Sequence, residues 1–322
     1  MLYDVIIIGG GPGGVAATVY AARKNLKTLL ITDTFGGQSI DSDDIQNWNG
    51  EKSISGVDLA KKLEEHARNF PDTAEIKMSE KVIKISETKC TDHHRACDFS
   101  VETDKDNTYN GKAIILAAGA RHRKLDVPGE EKLDGKGVAY CSTCDAPLFK
   151  GKDVAVVGGG NAGLEAVIDL FPYANKIYLL QRSDKLSGDP VTQDEINKNE
   201  KTEIIFNATT LEVLGDKFVS GLKFKDTVSE EEKELEVGGV FVQIGSVPNS
   251  EIVKDLVKLD KYGQVITDAK YGSTSHPGIF ATGDITDDPY KQNNISVGDG
   301  VRAALSAYLY LLNKKKETPA AG

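Results

Sequence analysis

Cysteine is scarce: the 322 residues hold four, in two pairs, Cys90 with Cys97 and Cys141 with Cys144. A chain of this length buries a large core without covalent staples, so no disulfide framework is called for. Nor is a zinc site well provided for at Cys141 and Cys144, because a second C-x-x-C or a His pair at ligand spacing is missing nearby. Long apolar runs are absent, which excludes a membrane-spanning helix. The first residues, Met1-Leu2-Tyr3-Asp4, run directly into a strand pattern, so no signal peptide is expected. Basic excess is absent too: 49 acidic residues against 39 Lys and Arg give a formal net charge of −10. That balance argues against nucleic acid or an anionic membrane as a partner. Together these absences point to a cytoplasmic protein in which a C-x-x-C is catalytic or metal-binding rather than structural.

What the chain does have is glycine at two particular places. Val5-Ile6-Ile7-Ile8 leads into Gly9-Gly10-Gly11-Pro12-Gly13-Gly14, and Val154-Ala155-Val156-Val157 leads into Gly158-Gly159-Gly160-Asn161-Ala162-Gly163. Each is a buried-strand pattern, a G-x-G-x-x-G turn and a helical pattern, the context that gives the motif meaning. Glycine there permits the tight turn, lets the backbone approach a pyrophosphate and seats the helix on its strand. The helix N-terminus then offers free N–H groups to phosphate oxygens. Cys141-Ser142-Thr143-Cys144 lies between the two turns, which indicates electron flow between two dinucleotides and a dithiol.

Further along, Lys27-Thr28-Leu29-Leu30-Ile31-Thr32 reads as the second strand and ends at Asp33. A carboxylate there either binds a ribose hydroxyl or merely opens the following turn. A helix is expected over 56–70, hairpin arms over 82–88 and 98–102, and a strand over 113–117. In the second half, strands are expected over 176–180, 203–206, 218–224 and 239–245, then a strand over 278–284 and an Ala-rich helix over about 300–312. Leu116-Ala117-Ala118-Gly119 and Ala281-Thr282-Gly283-Asp284 look alike, so both are assigned to the first sheet, with the second domain inserted between them. The hairpin tip Cys90-Thr91-Asp92-His93-His94-Arg95-Ala96-Cys97 combines two Cys with two His, a composition open to zinc, to a cross-hairpin disulfide or to neither.

Taken together, these motifs resemble the low-molecular-weight thioredoxin reductases and the reductase portion of the alkyl hydroperoxide reductase flavoproteins. Tyr140-Cys141-Ser142-Thr143-Cys144-Asp145 is similar to that family's active-site turn. Gly36-Gly37-Gln38, Asn47-Trp48-Asn49-Gly50, Gly278 to Asp284 and Lys291-Gln292 resemble its flavin-contacting segments. The resemblance implies an α/β fold of two Rossmann-like three-layer domains: a doubly wound FAD domain (1–120 and 249–316) and an inserted NAD(P)-binding domain (121–248), with a frayed tail (317–322). It also implies a homodimer. FAD contacts are expected from Gly9, Gly11, Pro12, Gly13, Gly14, Asp33, Gly37, Gln38, Asn47, Ala118, Gly119, Gly283, Asp284, Lys291 and Gln292. Nicotinamide dinucleotide contacts are expected from Gly158, Gly160, Asn161, Ala162, Gly163, Gln181, Arg182 and Ser183. In the implied chemistry Cys144 faces the flavin, Cys141 attacks the disulfide of thioredoxin or a thioredoxin-like protein, and Asp145 protonates the leaving thiolate. No metal is expected.

The electron donor is where the pattern departs. NADPH-using members carry His-Arg-Arg after the second Rossmann strand, whereas this chain has Gln181-Arg182-Ser183-Asp184-Lys185. Arg182 and Lys185 provide charge for a 2′-phosphate and Ser183 a hydroxyl, while Gln181 is not the carboxylate that marks NAD sites. NADPH is therefore placed ahead of NADH, with ferredoxin as a third donor. Two other functions stay open: a peroxiredoxin-system reductase working with a separate dithiol carrier, and a non-enzymatic flavin redox sensor.

Overall fold

The computed structural model describes residues 1–42, 44–90 and 97–317. The chain forms two compact units, one of Met1–Asp41, Asn47–Arg121 and Val247–Gly322, the other of Ser42–Gln46 and His122–Ser246.

The first unit is built on a five-stranded parallel sheet in the order Ile279–Ala281, Ile114–Leu116, Val5–Gly10, Thr28–Phe35, Ala74–Met78. Its central strands are near-continuous apolar runs because both faces are covered. On one face Ile6, Ile8, Leu29, Ile31, Ile114 and Leu116 join Val82, Ile85, Phe99 and Val101 in a single core cluster. Those last four residues come from a second sheet of the strands Leu2–Tyr3, Thr108–Gly111, Cys97–Thr103 and Val82–Cys90. The alternate residues Val5, Ile7, Leu30 and Ile115 are equally buried on the opposite face, where the helices lie. The strand expected over 278–284 spans only Ile279–Ala281 and joins the first sheet beside Ile114–Leu116.

The second unit repeats this plan. Five parallel strands run Val138–Ala139, Gly239–Val242, Asp153–Val157, Lys176–Leu180, Thr202–Ile205. Val154, Val156, Ile177, Leu179 and Phe241 pack on Leu164, Val167 and Leu170 of the helix Asn161–Leu170. Ala155, Val157, Leu180, Val240 and Val242 face Val213, Leu222 and Phe224. These come from an antiparallel sheet of Ala208–Gly215, Val219–Asp226 and Glu232–Glu236.

Some expectations need correction. The final helix runs Asn293–Glu317 and starts well before residue 300. The strand expected over 239–245 stops at Val242. The helix Pro190–Lys198 and the strand Glu232–Glu236 were not anticipated. The zinc-or-disulfide question at the hairpin tip lies outside the described residues, as does the tail from residue 318. Among the described residues no helix is long and apolar enough to cross a membrane.

Candidate active site

Both Gly-rich turns take the same local form. Gly9 and Gly158 have φ of +109° and +122°, which turns the chain from strand to helix. Five residues on, a Cβ on Gly14 would sit 1.8 Å from the Gly9 carbonyl oxygen, and one on Gly163 would sit 1.7 Å from that of Gly158. Only glycine lets either helix approach its strand this closely. The N-caps, Gly11 and Gly160, lack a side-chain cap, so the first helical N–H groups are left for another acceptor.

In the first unit the turn opens on a cavity of about 670 Å³. Its wall includes Gly9, Gly11, Pro12, Gly13, Asp33, Gly37, Gln38, Ala118, Gly119, Gly283 and Asp284. Gly14 lies behind this wall against Gly9. Asn47, Lys291 and Gln292 are placed outside the lining: Asn47 donates to Gln292 Oε1 at 3.2 Å, and Lys291 Nζ donates to the Thr286 carbonyl at 2.6 Å. Sequence reasoning missed Glu80, Lys81, Asn249, Glu251 and Ser296, which also line the cavity and belong to no motif, while Thr282, within the Gly278–Asp284 segment, lines it as well.

Gln38 Nε2 donates to Asp284 Oδ2 at 3.2 Å, while Gln38 Oε1 is buried without a hydrogen-bond partner. A buried acceptor left this way calls for a donor from a bound molecule. Burial pushes the Asp284 carboxyl above the ordinary carboxylate range, although Lys291 pulls the other way. Burial likewise lowers Lys291, against the pull of Asp284, Asp288, Asp287 and Asp260. An uncapped helix start, a strand-end carboxylate and an unmet amide oxygen on one cavity wall fit a dinucleotide with a polar ring system.

In the second unit Cys141 and Cys144 are disulfide-bonded, their Cα atoms 5.4 Å apart. Cys141 caps the one-turn helix Ser142–Asp145, and its Sγ accepts the Cys144 N–H at 3.2 Å. The Asp145 N–H donates to the Cys141 carbonyl at 3.1 Å. Side chains distant in sequence hold this turn. Tyr140 donates its hydroxyl to Glu130 Oε1 at 2.9 Å, and the buried Glu130 also accepts the N–H groups of Leu125 and Asp126 at 2.8 Å each. Burial and that carboxylate push the Tyr140 phenol well above its ordinary range. His122 stacks on the Tyr140 ring at 5.2 Å, and Gln243 Nε2 donates to the Tyr140 carbonyl at 3.0 Å. Ser142 and Thr143 both donate to Asp169 Oδ2, at 2.8 and 3.1 Å.

The loop after Lys176–Leu180 is also tied down. Gln181 Oε1 accepts the Gly159 N–H at 3.1 Å, and its Nε2 donates to Ser183 Oγ at 2.8 Å and to the Lys185 carbonyl at 2.9 Å. Ser183 donates its own proton to the Lys185 carbonyl at 2.9 Å. Asn161 Oδ1 accepts the Asp189 N–H at 2.8 Å. Arg182 is exposed.

A family model described as pyridine nucleotide-disulphide oxidoreductase matches residues 3–303. The chain belongs to that family. It is 44% identical over 312 residues to the F subunit of an alkyl hydroperoxide reductase of Pseudomonas aeruginosa, covering 96% of this chain and 58% of that protein. It is 41% identical over 311 residues to an NADH dehydrogenase of Bacillus subtilis, covering 96% of this chain and 59% of that one. The chain thus spans about three fifths of the length of the curated relatives it matches. Among solved structures, a thioredoxin reductase from Streptococcus pyogenes superposes with a TM-score of 0.87 at 37% identity, over 97% of this chain and 99% of that one. The fold is thus that of the thioredoxin reductase-like flavin disulfide oxidoreductases, and membership of the family implies flavin and nicotinamide cofactors.

Proposed function

We propose that the protein is an FAD-dependent disulfide reductase that passes electrons from NAD(P)H through the Cys141/Cys144 pair to thioredoxin or a thioredoxin-like protein. The observation that carries this reading is the pinned, disulfide-bonded C-x-x-C turn in a unit that also holds a second Gly-rich turn. FAD held in the cavity of the first unit would supply two-electron transfer between the nicotinamide and the disulfide. Gly9 to Gly13 would take the pyrophosphate, Asp33 the ribose hydroxyls, and Gln38 with Asp284 the ring system.

The thiol chemistry belongs to the chain itself. A thiolate at Cys141 is favoured by the Cys144 N–H aimed at its sulfur, and a more stable thiolate is the better populated nucleophile. Asp145 adjoins the pair and acts as the acid that protonates the departing thiolate of the partner. In this reading Cys144 is the cysteine that exchanges electrons with the flavin, and the protein works as a homodimer.

NADPH is the preferred donor, by a modest margin that rests on Arg182. Ser183 contributes less than its residue type suggests, because its hydroxyl proton is engaged by the Lys185 carbonyl. The relative named NADH dehydrogenase makes NADH the competing donor. The identity to the alkyl hydroperoxide reductase protein favours a second acceptor, a small dithiol carrier of a peroxiredoxin system.

Steady-state assays test the proposal. The flavin-loaded protein should turn over NADPH with thioredoxin disulfide or with DTNB. Cys141→Ser and Cys144→Ser should each abolish that turnover while NADPH-dependent ferricyanide reduction persists. Full disulfide reduction by either variant contradicts the assignment. Turnover with reduced ferredoxin and with neither nicotinamide would replace the donor, and single-turnover reduction without recycling would instead indicate a redox sensor.

A further inference from the structure

Ser142 and Thr143, the two residues enclosed by the Cys141–Cys144 ring, donate to one and the same carboxylate oxygen, Asp169 Oδ2, at 2.8 and 3.1 Å. Asp169 is half-buried near the end of the helix Asn161–Leu170, whose Leu164, Val167 and Leu170 are fully buried. The carboxylate is therefore mounted on a rigid element of the core rather than on the redox turn. The hydroxyls are oriented toward Asp169, so their protons are not available to a sulfur anion beside them. The carboxylate also lies against Ser142, the residue next to Cys141, where its charge opposes the N–H donor that favours the thiolate. Destabilising the reduced, thiolate-bearing form makes a dithiol a stronger reductant, since a couple is oxidising when its reduced form is stabilised.

We propose that Asp169 is the positioning residue of the redox turn: it clamps Ser142 and Thr143 and, through its charge, keeps the Cys141/Cys144 couple strongly reducing. The inference rests on the reading of that pair as a reversible dithiol. Reduction adds two electrons and two protons to the disulfide and yields two thiols.

The test equilibrates flavin-loaded protein with dithiothreitol redox buffers, in which the dithiol reagent is oxidised as the protein is reduced. Alkylation and mass spectrometry then read Cys141 and Cys144 separately from Cys90 and Cys97. Asp169→Asn keeps a side-chain oxygen for both hydroxyls and removes the charge. It should shift the equilibrium about tenfold toward the dithiol, or ~30 mV less negative for this two-electron couple. It should also move the pH profile of alkylation of the reduced pair to lower pH. Asp169→Ala, which removes the clamp as well, should shift the potential at least as far, and Asp169→Glu should restore it toward the parent value. An unchanged potential and an unchanged alkylation profile in Asp169→Asn would overturn the proposal, whatever Asp169→Ala does. A parent protein whose Cys141/Cys144 pair cannot be reduced and reoxidised would instead sink the dithiol reading beneath it.

Discussion

Asp284 and Lys291 are each shifted by burial toward the neutral form. The sign of the linkage is definite for Asp284. Its carboxyl in the folded state holds its proton above the ordinary value of about 3.9. The unfolded chain ionises first as pH rises, so stability is greatest below that value and is lost as pH climbs through the raised one. In cofactor-free protein Asp284→Asn should remove this loss. Its stability relative to the parent should rise with pH across that window in urea titrations, while its affinity for FAD falls. A variant that tracks the parent at every pH would show that burial does not raise the Asp284 carboxyl. At the other site the proposed preference for NADPH rests on Arg182. A charge-assisted contact is worth roughly 1.5–3 kcal/mol. Arg182→Ala should therefore raise the KM for NADPH about tenfold or more and leave NADH nearly unaffected. Equal effects on both donors would remove this loop from any role in reading the 2′-phosphate.

Each strand–turn–helix element depends on a glycine whose side chain would collide with backbone. Gly14→Ala and Gly163→Ala should each push a helix off its strand, at about 1–3 kcal/mol if the unit still folds. Their consequences should separate: Gly14→Ala should lose FAD in gel filtration, whereas Gly163→Ala should stay yellow and lose nicotinamide-dependent flavin bleaching. Elements of this kind were legible in the sequence because apolar runs, glycine spacing and a following helical period all agree. Others were not. Glu232–Glu236 reads EKELE, with no apolar alternation to mark it as a strand, and it is held by pairing with Val219–Asp226. Pro190–Lys198 buries only Ile196, too little to leave a helical stripe. Gly298 and Gly300 argue against an early start to the last helix on propensity alone. Packing overrides that, since a Cβ at Gly300 would lie 2.1 Å from the Gly13 carbonyl, where this helix meets Pro12–Arg23. The supports of the redox turn were hidden for another reason. Glu130, Asp169 and Gln243 lie 10 to 103 residues from their partners, and no local pattern links them.

At the scale of the whole molecule the same three-layer plan occurs twice, each copy with its own core and its own Gly-rich turn. One copy carries a cavity fitted to a dinucleotide and the other carries the disulfide. In the proposed activity electron storage falls to a cofactor and thiol exchange to the chain, so electrons must cross from one to the other. The most direct check is anaerobic addition of NADPH to the oxidised, FAD-loaded protein, followed by acid quenching, alkylation and peptide mass spectrometry. With two equivalents, flavin bleaching is expected together with two new thiols, at Cys141 and Cys144. Bleached flavin with that pair still disulfide-bonded would contradict it.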